Sequence, residues 1–131
     1  MDNVKGDIDG LDSIRLLVDQ FYSVVRADEL LGGVFEAAIK GDWQPHLDKM
    51  YAFWNAALFG VPGFKGNPFA QHAPLNIREL HFTLWLQHFE SVVDMYFEGP
   101  VADDTKKRAG LMAIMFQSKL AVMKDAKHVI I

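Results

Sequence analysis

A chain of 131 residues, 50% hydrophobic and 12% aromatic, suits one domain with a real core, with residues 1–10 and 124–131 expected as flexible ends. Seventeen acidic against thirteen basic side chains give a net charge of -4, and Lys106, Lys107 and Arg108 form the one basic cluster, which argues against a nucleic-acid partner. The absence of cysteine excludes disulfides, thiolate nucleophiles and sulfur-held metals and fits a cytoplasmic setting, while "AGLMAIMF" falls far short of the roughly eighteen apolar residues needed to span a membrane.

From Leu11 the residues Ile14, Leu17, Val18, Phe21, Tyr22 and Val25 recur at helical spacing, with Asp12 as the expected cap and Leu11 placed to staple onto Leu16. That helix should end near "RADE". "LLGGVFEAAI" reads as a short helix opened by glycines, and Gly41 and Asp42 start another, with Pro45 tolerated in its first turn. His46, Met50, Phe53 and Ala57 share one stripe of it. "GVPGFKGNP" is a loop, and "FAQH" allows one helical turn before Pro74. Asn76 with Glu79 reads as a capping box opening a long helix whose stripe holds His81, Trp85, His88, Val92 and Tyr96. "FEGPVADD" turns the chain, and Ala109, Met112, Ala113, Phe116 and Leu120 mark a last helix of about twenty residues. No stretch alternates like an exposed strand, so the class is all-α.

Several chemistries drop out. The chain lacks a Walker loop, a dinucleotide fingerprint, a zincin motif and a nucleophile elbow, and "DIDGLD" misses most ligands of an EF-hand. No glutamate precedes a histidine by three residues, as a di-iron bundle requires.

The histidines carry the remaining signal. Most imidazoles on helix faces are core or rim groups with one hydrogen-bond partner. His72 is placed differently: it ends a single turn before Ala73 and Pro74, with Phe69 before it and Ile77 and Phe82 beyond. Such an imidazole suits a metal in an apolar slot, and with no cysteine and few nearby carboxylates the other ligands would have to come from a cofactor, with haem the obvious candidate. Aromatic and aliphatic walls are available in Phe21, Tyr22, Phe35, His46, Met50, Phe53 and Trp85, although the same stripes also fit a plain helical core.

The segments "FYSVVRADELLGGVF", "DWQPHLDKMYAFWNAALFG", "GNPFAQHAPLNIRELHFTLWLQHF" and "KKRAGLMAI" together resemble a group III truncated haemoglobin, from about Leu17 to Leu120. The resemblance implies a truncated globin-like two-over-two helical sandwich around haem b, with His72 as the proximal iron ligand. It implies Tyr22 over the distal face, His46 at the distal gate and Trp85 against the bound gas. Phe21, Phe35, Met50, Phe53, Phe69, Ile77 and Phe82 would line the cofactor, and Lys49 and His81 would sit at its propionate edge. Gly32-Gly33 stands where the family has Gly-Pro, Phe64 replaces a loop tyrosine, and His88 occupies a position usually filled by leucine. His88 is expected either as a core imidazole bonded to a carbonyl or as a partner of Trp85 or His46.

Function follows as an expectation: dioxygen and other small gases held by hydrogen bonds from Tyr22 and Trp85, serving nitric oxide or peroxide chemistry in preference to oxygen transport. His46, with an ordinary pKa near 6.5, would make ligand access depend on pH. Turnover would need an external electron donor, and the protein would act as a monomer or weak dimer with neither nucleic acid nor membrane as partner. The competing readings are a haem-based sensor or oxygen store, and a haem-free helical interaction domain.

Overall fold

The computed structural model describes residues 5–39, 41–64 and 78–129, with side chains described to residue 119 and at 121. Among them are five helices: α1 (Leu11–Ala27), α2 (Glu29–Ala38), α3 (Gln44–Phe59), α4 (Glu79–Tyr96) and α5 (Pro100–Val129). α1 packs on α3 and α4 on α5, and the two pairs meet where α1 crosses α4, which gives the expected two-over-two arrangement. The short α2 bridges the pairs, touching α1 and α4.

Each helix forms where the apolar period is clearest, but its ends are set by contacts that the period does not report. α1 buries Ile14, Leu17, Val18, Phe21, Tyr22 and Val25 along one stripe. Its N-cap is Gly10, not Asp12, which lies inside the first turn, and Leu11 and Leu16 are both exposed. Asp28 ends α1 and begins α2: its N–H donates to the carbonyls of Val24 and Val25, and its Oδ1 accepts from the N–H groups of Leu30 (2.9 Å) and Leu31 (3.0 Å). Thus α2 is opened by an aspartate cap, and Gly32 and Gly33 are internal to it.

Gly32 has a packing role. A Cβ there would lie 2.8 Å from the Arg26 carbonyl oxygen, so the α1–α2 corner closes only over a residue without a side chain. α3 begins at Gln44, later than expected, because Asp42 stands outside the helix and accepts from the Gln44 N–H at 3.0 Å. It stops at Gly60, whose φ of 67° favours glycine. Asn76 lies outside the described residues. α4 opens at Glu79, where the Arg78 N–H donates to His81 Nδ1 at 2.9 Å.

α5 is 30 residues long and begins at Pro100, so "PVADD" is helical and the turn shrinks to Phe97–Gly99. The reason is remote in sequence. Asp7 accepts from the N–H groups of Val101 (2.9 Å) and Ala102 (2.7 Å), capping α5 from the other end of the chain. Gly99 leaves room for that carboxylate, since a Cβ would lie 2.5 Å from Asp7 Cγ. Burial pushes the Asp7 carboxyl up, but N–H donors from Val101, Ala102 and Ile8 outweigh it and hold the group below the usual carboxylate range. Ile8 is 1% exposed, and the Glu98 N–H donates to Gly6 at 3.0 Å. Residues 5–10 therefore pack as part of the fold where a flexible end was expected.

Candidate functional site: an apolar slot with one buried phenol

All five helices contribute to one slot, each through residues a helical turn apart: Val18, Phe21 and Tyr22 from α1; Leu31, Val34 and Phe35 from α2; Met50, Phe53 and Trp54 from α3; His81, Phe82, Trp85 and Phe89 from α4; Met112, Ala113 and Phe116 from α5. Residues at i, i+3 and i+4 share a helix face, so the stripes that drive folding also make the walls. Within these walls Trp54, Phe89 and Trp85 stack as a column, with centroids 5.3 Å and 5.6 Å apart at 22° and 12°. Phe21 meets both Phe89 and Trp85 edge-on, at 5.2 Å and 5.6 Å. This packing fixes the plane of the Trp85 indole.

Tyr22 is the polar exception in the wall that α1 contributes. It is 6% exposed, and burial pushes its phenol far above the ordinary tyrosine value, so it stays protonated and able to donate. Its ring meets Phe21 at 4.9 Å, His46 at 5.0 Å, Phe35 at 5.8 Å and Trp43 at 6.0 Å, all near edge-on. His46 therefore flanks the slot through Tyr22 and Phe35 instead of lining it. His81 lines the slot with Nδ1 already accepting from the Arg78 N–H, which puts its proton on Nε2.

Of the residues expected here, Phe21, Tyr22, Phe35, Met50, Phe53, His81, Phe82 and Trp85 are brought together. Lys49, one turn before Phe53 on α3, is exposed and takes no part in the lining. His72, Phe69 and Ile77 lie outside the described residues. Val18, Leu31, Val34, Trp54, Phe89, Met112, Ala113 and Phe116 complete the walls and were not singled out as site residues. Extending each stripe by one turn would have found most of them: Val18 precedes Phe21 by three, and Trp54 and Phe89 follow Met50 and Trp85 by four.

His88 corrects both earlier expectations. Its Nε2 lies 2.8 Å from Asp28 Oδ2, so its partner is a carboxylate at the α1–α2 junction and neither a carbonyl nor Trp85 or His46. The Leu31 N–H and the His88 ring hold the Asp28 carboxyl below the usual carboxylate range, against the opposing effect of burial. α4 is thereby pinned to the cap of the helix that carries Leu31, Val34 and Phe35.

The lining chemistry fits a flat macrocycle: apolar and aromatic walls, one buried phenol and an imidazole N–H at His81. Free space inside is about 60 Å³, and about 820 Å³ when the open mouth is counted. Residues 4–122 match the family described as bacterial-like globin. This chain belongs to the bacterial-like globins. It is 31% identical over 113 residues, 83% of this chain and 89% of the relative, to the group 3 truncated hemoglobin ctb of Campylobacter jejuni. The crystal structure of the group III truncated hemoglobin from Campylobacter jejuni superposes with a TM-score of 0.83 at 30% identity, covering 89% of this chain and 95% of that one. The hemoglobin of Chloroflexus aurantiacus shares the fold, with a TM-score of 0.72 at 22% identity over 83% and 92% of the two chains. As a globin of the truncated type the protein binds haem and small gaseous ligands, which replaces the haem-free reading.

Proposed function

We propose that this globin is a haem b protein that retains a diatomic ligand tightly and uses it for redox chemistry on nitric oxide or peroxide, in preference to carrying oxygen. When bound, the haem supplies an iron that takes up the gas and exchanges an electron with it. His72 is the proposed proximal ligand. Everything else falls to this chain's side chains.

The observation that supports the reading best is the Tyr22 phenol, buried in an otherwise apolar wall beside His46. A donor in such a place is shielded from water, so a hydrogen bond from it to a ligand that has gained negative charge has no solvent competitor. Such bonds are worth about 1.5–3 kcal/mol, enough to slow release by about one to two decades. Trp85 is the second proposed donor, its ring held by the stack on Phe89. On the other flank, His81 Nε2–H is free in tautomer to donate to a propionate carboxylate, while Lys49 on its exposed face is not proposed for that role. A ligand held this strongly is better kept for reaction than delivered. Turnover draws on an external electron donor, and we place it in the cytoplasm.

Stopped-flow oxygen release from the haem-loaded protein tests the reading. Tyr22→Phe should release about tenfold or more faster than wild type, with Trp85→Phe in the same direction and smaller. Release unchanged in both variants removes the distal donors and, with them, the argument for retention.

A further inference from the structure

Outside the slot lies a second cavity, a polar groove of about 620 Å³ running along α1 and the start of α3. Tyr22 is the residue that lines both spaces. The groove's other wall at that point is Trp43, 7% exposed, whose ring meets Tyr22 at 6.0 Å, His46 at 6.1 Å and Phe35 at 6.3 Å. From the outside the Arg26 guanidinium covers the Trp43 ring, 4.5 Å from its centroid, and Glu36 holds Arg26 at 3.4 Å. Three helices thus converge on one indole: Arg26 from α1, Glu36 from α2 and Trp43 at the head of α3.

Trp43 is also placed to move. It sits in the connector between α2 and α3, two residues after Gly41, whose φ is 87°. Its latch is exposed, with Arg26 and Glu36 side chains about half accessible, and such ion pairs hold weakly. A buried ring held by a weak external pair beside a glycine has the make-up of a door, whereas the Trp54, Phe89 and Trp85 column has that of a wall.

Resting on the reading of Tyr22 as the distal donor, we propose that Trp43 is the gate through which small neutral ligands pass from the groove to the slot, and that the Arg26–Glu36 pair is the latch that holds it shut. Trp43 and Arg26 are then positioning residues: they set access, while Tyr22 sets retention. A bulkier ligand needs a wider displacement of the indole than a diatomic does, so the gate should select by size.

Flash photolysis of the haem-loaded ferrous protein, with carbon monoxide and n-butyl isocyanide as probes, separates these roles. Trp43→Ala should speed isocyanide association about tenfold and carbon monoxide association less, with Trp43→Phe between. Arg26→Met and Glu36→Gln, both at exposed sites, should each raise association about threefold, the size expected for losing an exposed ion pair, and raise dissociation by the same factor so that affinity stays unchanged. Association unchanged for both probes in Trp43→Ala and in Arg26→Met overturns the gate. Faster oxygen release in Tyr22→Phe with these outcomes would leave the retention reading standing without the gate. Should Trp43→Ala fail to fold, the two latch variants decide.

Discussion

The slot and the groove lie on two sides of one helix, and they are held by different forces. On α1, Val18, Phe21 and Tyr22 face inward to apolar partners from the other four helices, while Asp19, Ser23 and Arg26 face outward to the groove. The inner side rests on aromatic packing excluded from water, the outer on exposed charges whose pairing is worth little. Tyr22 belongs to both stripes, and an amphipathic ring is the side chain suited to that border. The comparison teaches that rigidity and access are divided: the slot keeps its shape because its walls are buried, and the groove can open because its latch is not.

The strongest way to break this division is to remove a ring from the inner column. Phe89→Ala should lower stability by about 3–5 kcal/mol in urea unfolding, since Phe89 is 1% exposed and touches Trp54, Trp85 and Phe21. Arg26→Ala should cost below about 1 kcal/mol in the same measurement. Comparable losses would mean that the outer side is as structural as the inner one.

Next comes the junction that joins the two sides. Asp28→Ala removes the cap of α2 and the partner of His88 together, with an expected loss of about 1–2 kcal/mol. Its pH dependence has a definite sign. The folded carboxyl titrates below its ordinary value of 3.8, so its contribution is fully present above that value and is lost as pH falls through the lower folded one. Wild type should therefore lose stability more steeply than Asp28→Ala on acidification below about pH 4, read from urea midpoints across the acid range. Parallel profiles would show that the Asp28 carboxylate is not held as the hydrogen bonds imply.

The smallest effect contrasts two adjacent glycines. Gly33→Ala meets nothing within 4 Å and should gain about 0.5–1 kcal/mol from helix propensity, whereas Gly32→Ala drives a methyl to 2.8 Å from the Arg26 carbonyl and should lose about 1 kcal/mol net. Thermal melts of the two variants should move in opposite directions. A shared direction would mean that the α1–α2 corner yields freely.

Much of the fold was legible because an apolar residue every three or four positions has one physical meaning, a helix with a buried face. The stripes of α1, α3 and α4 could be read that way, and with them the slot residues Phe21, Tyr22, Met50, Phe53 and Trp85, whereas Phe35 lies on α2 and Phe82 off the stripe read for α4. Helix ends were harder. Asp7 caps α5 across 94 residues of chain, and no local pattern reports a carboxylate arriving from so far. His88 was misjudged for the same reason, since its partner Asp28 is 60 residues away and looks in sequence like an ordinary turn residue.

By itself, then, the sequence determined the all-α class, the apolar faces and the side chains that walls of a haem slot require, because hydrophobic period and residue type are local properties. Tertiary structure decided what those faces meet: Trp43 as the second wall of Tyr22, Arg26 over Trp43, Asp28 beneath His88, and Gly32 against the Arg26 carbonyl. Each of these joins residues on different helices, and a contact between helices is fixed by the docking of whole faces in three dimensions, which spacing along one helix does not specify.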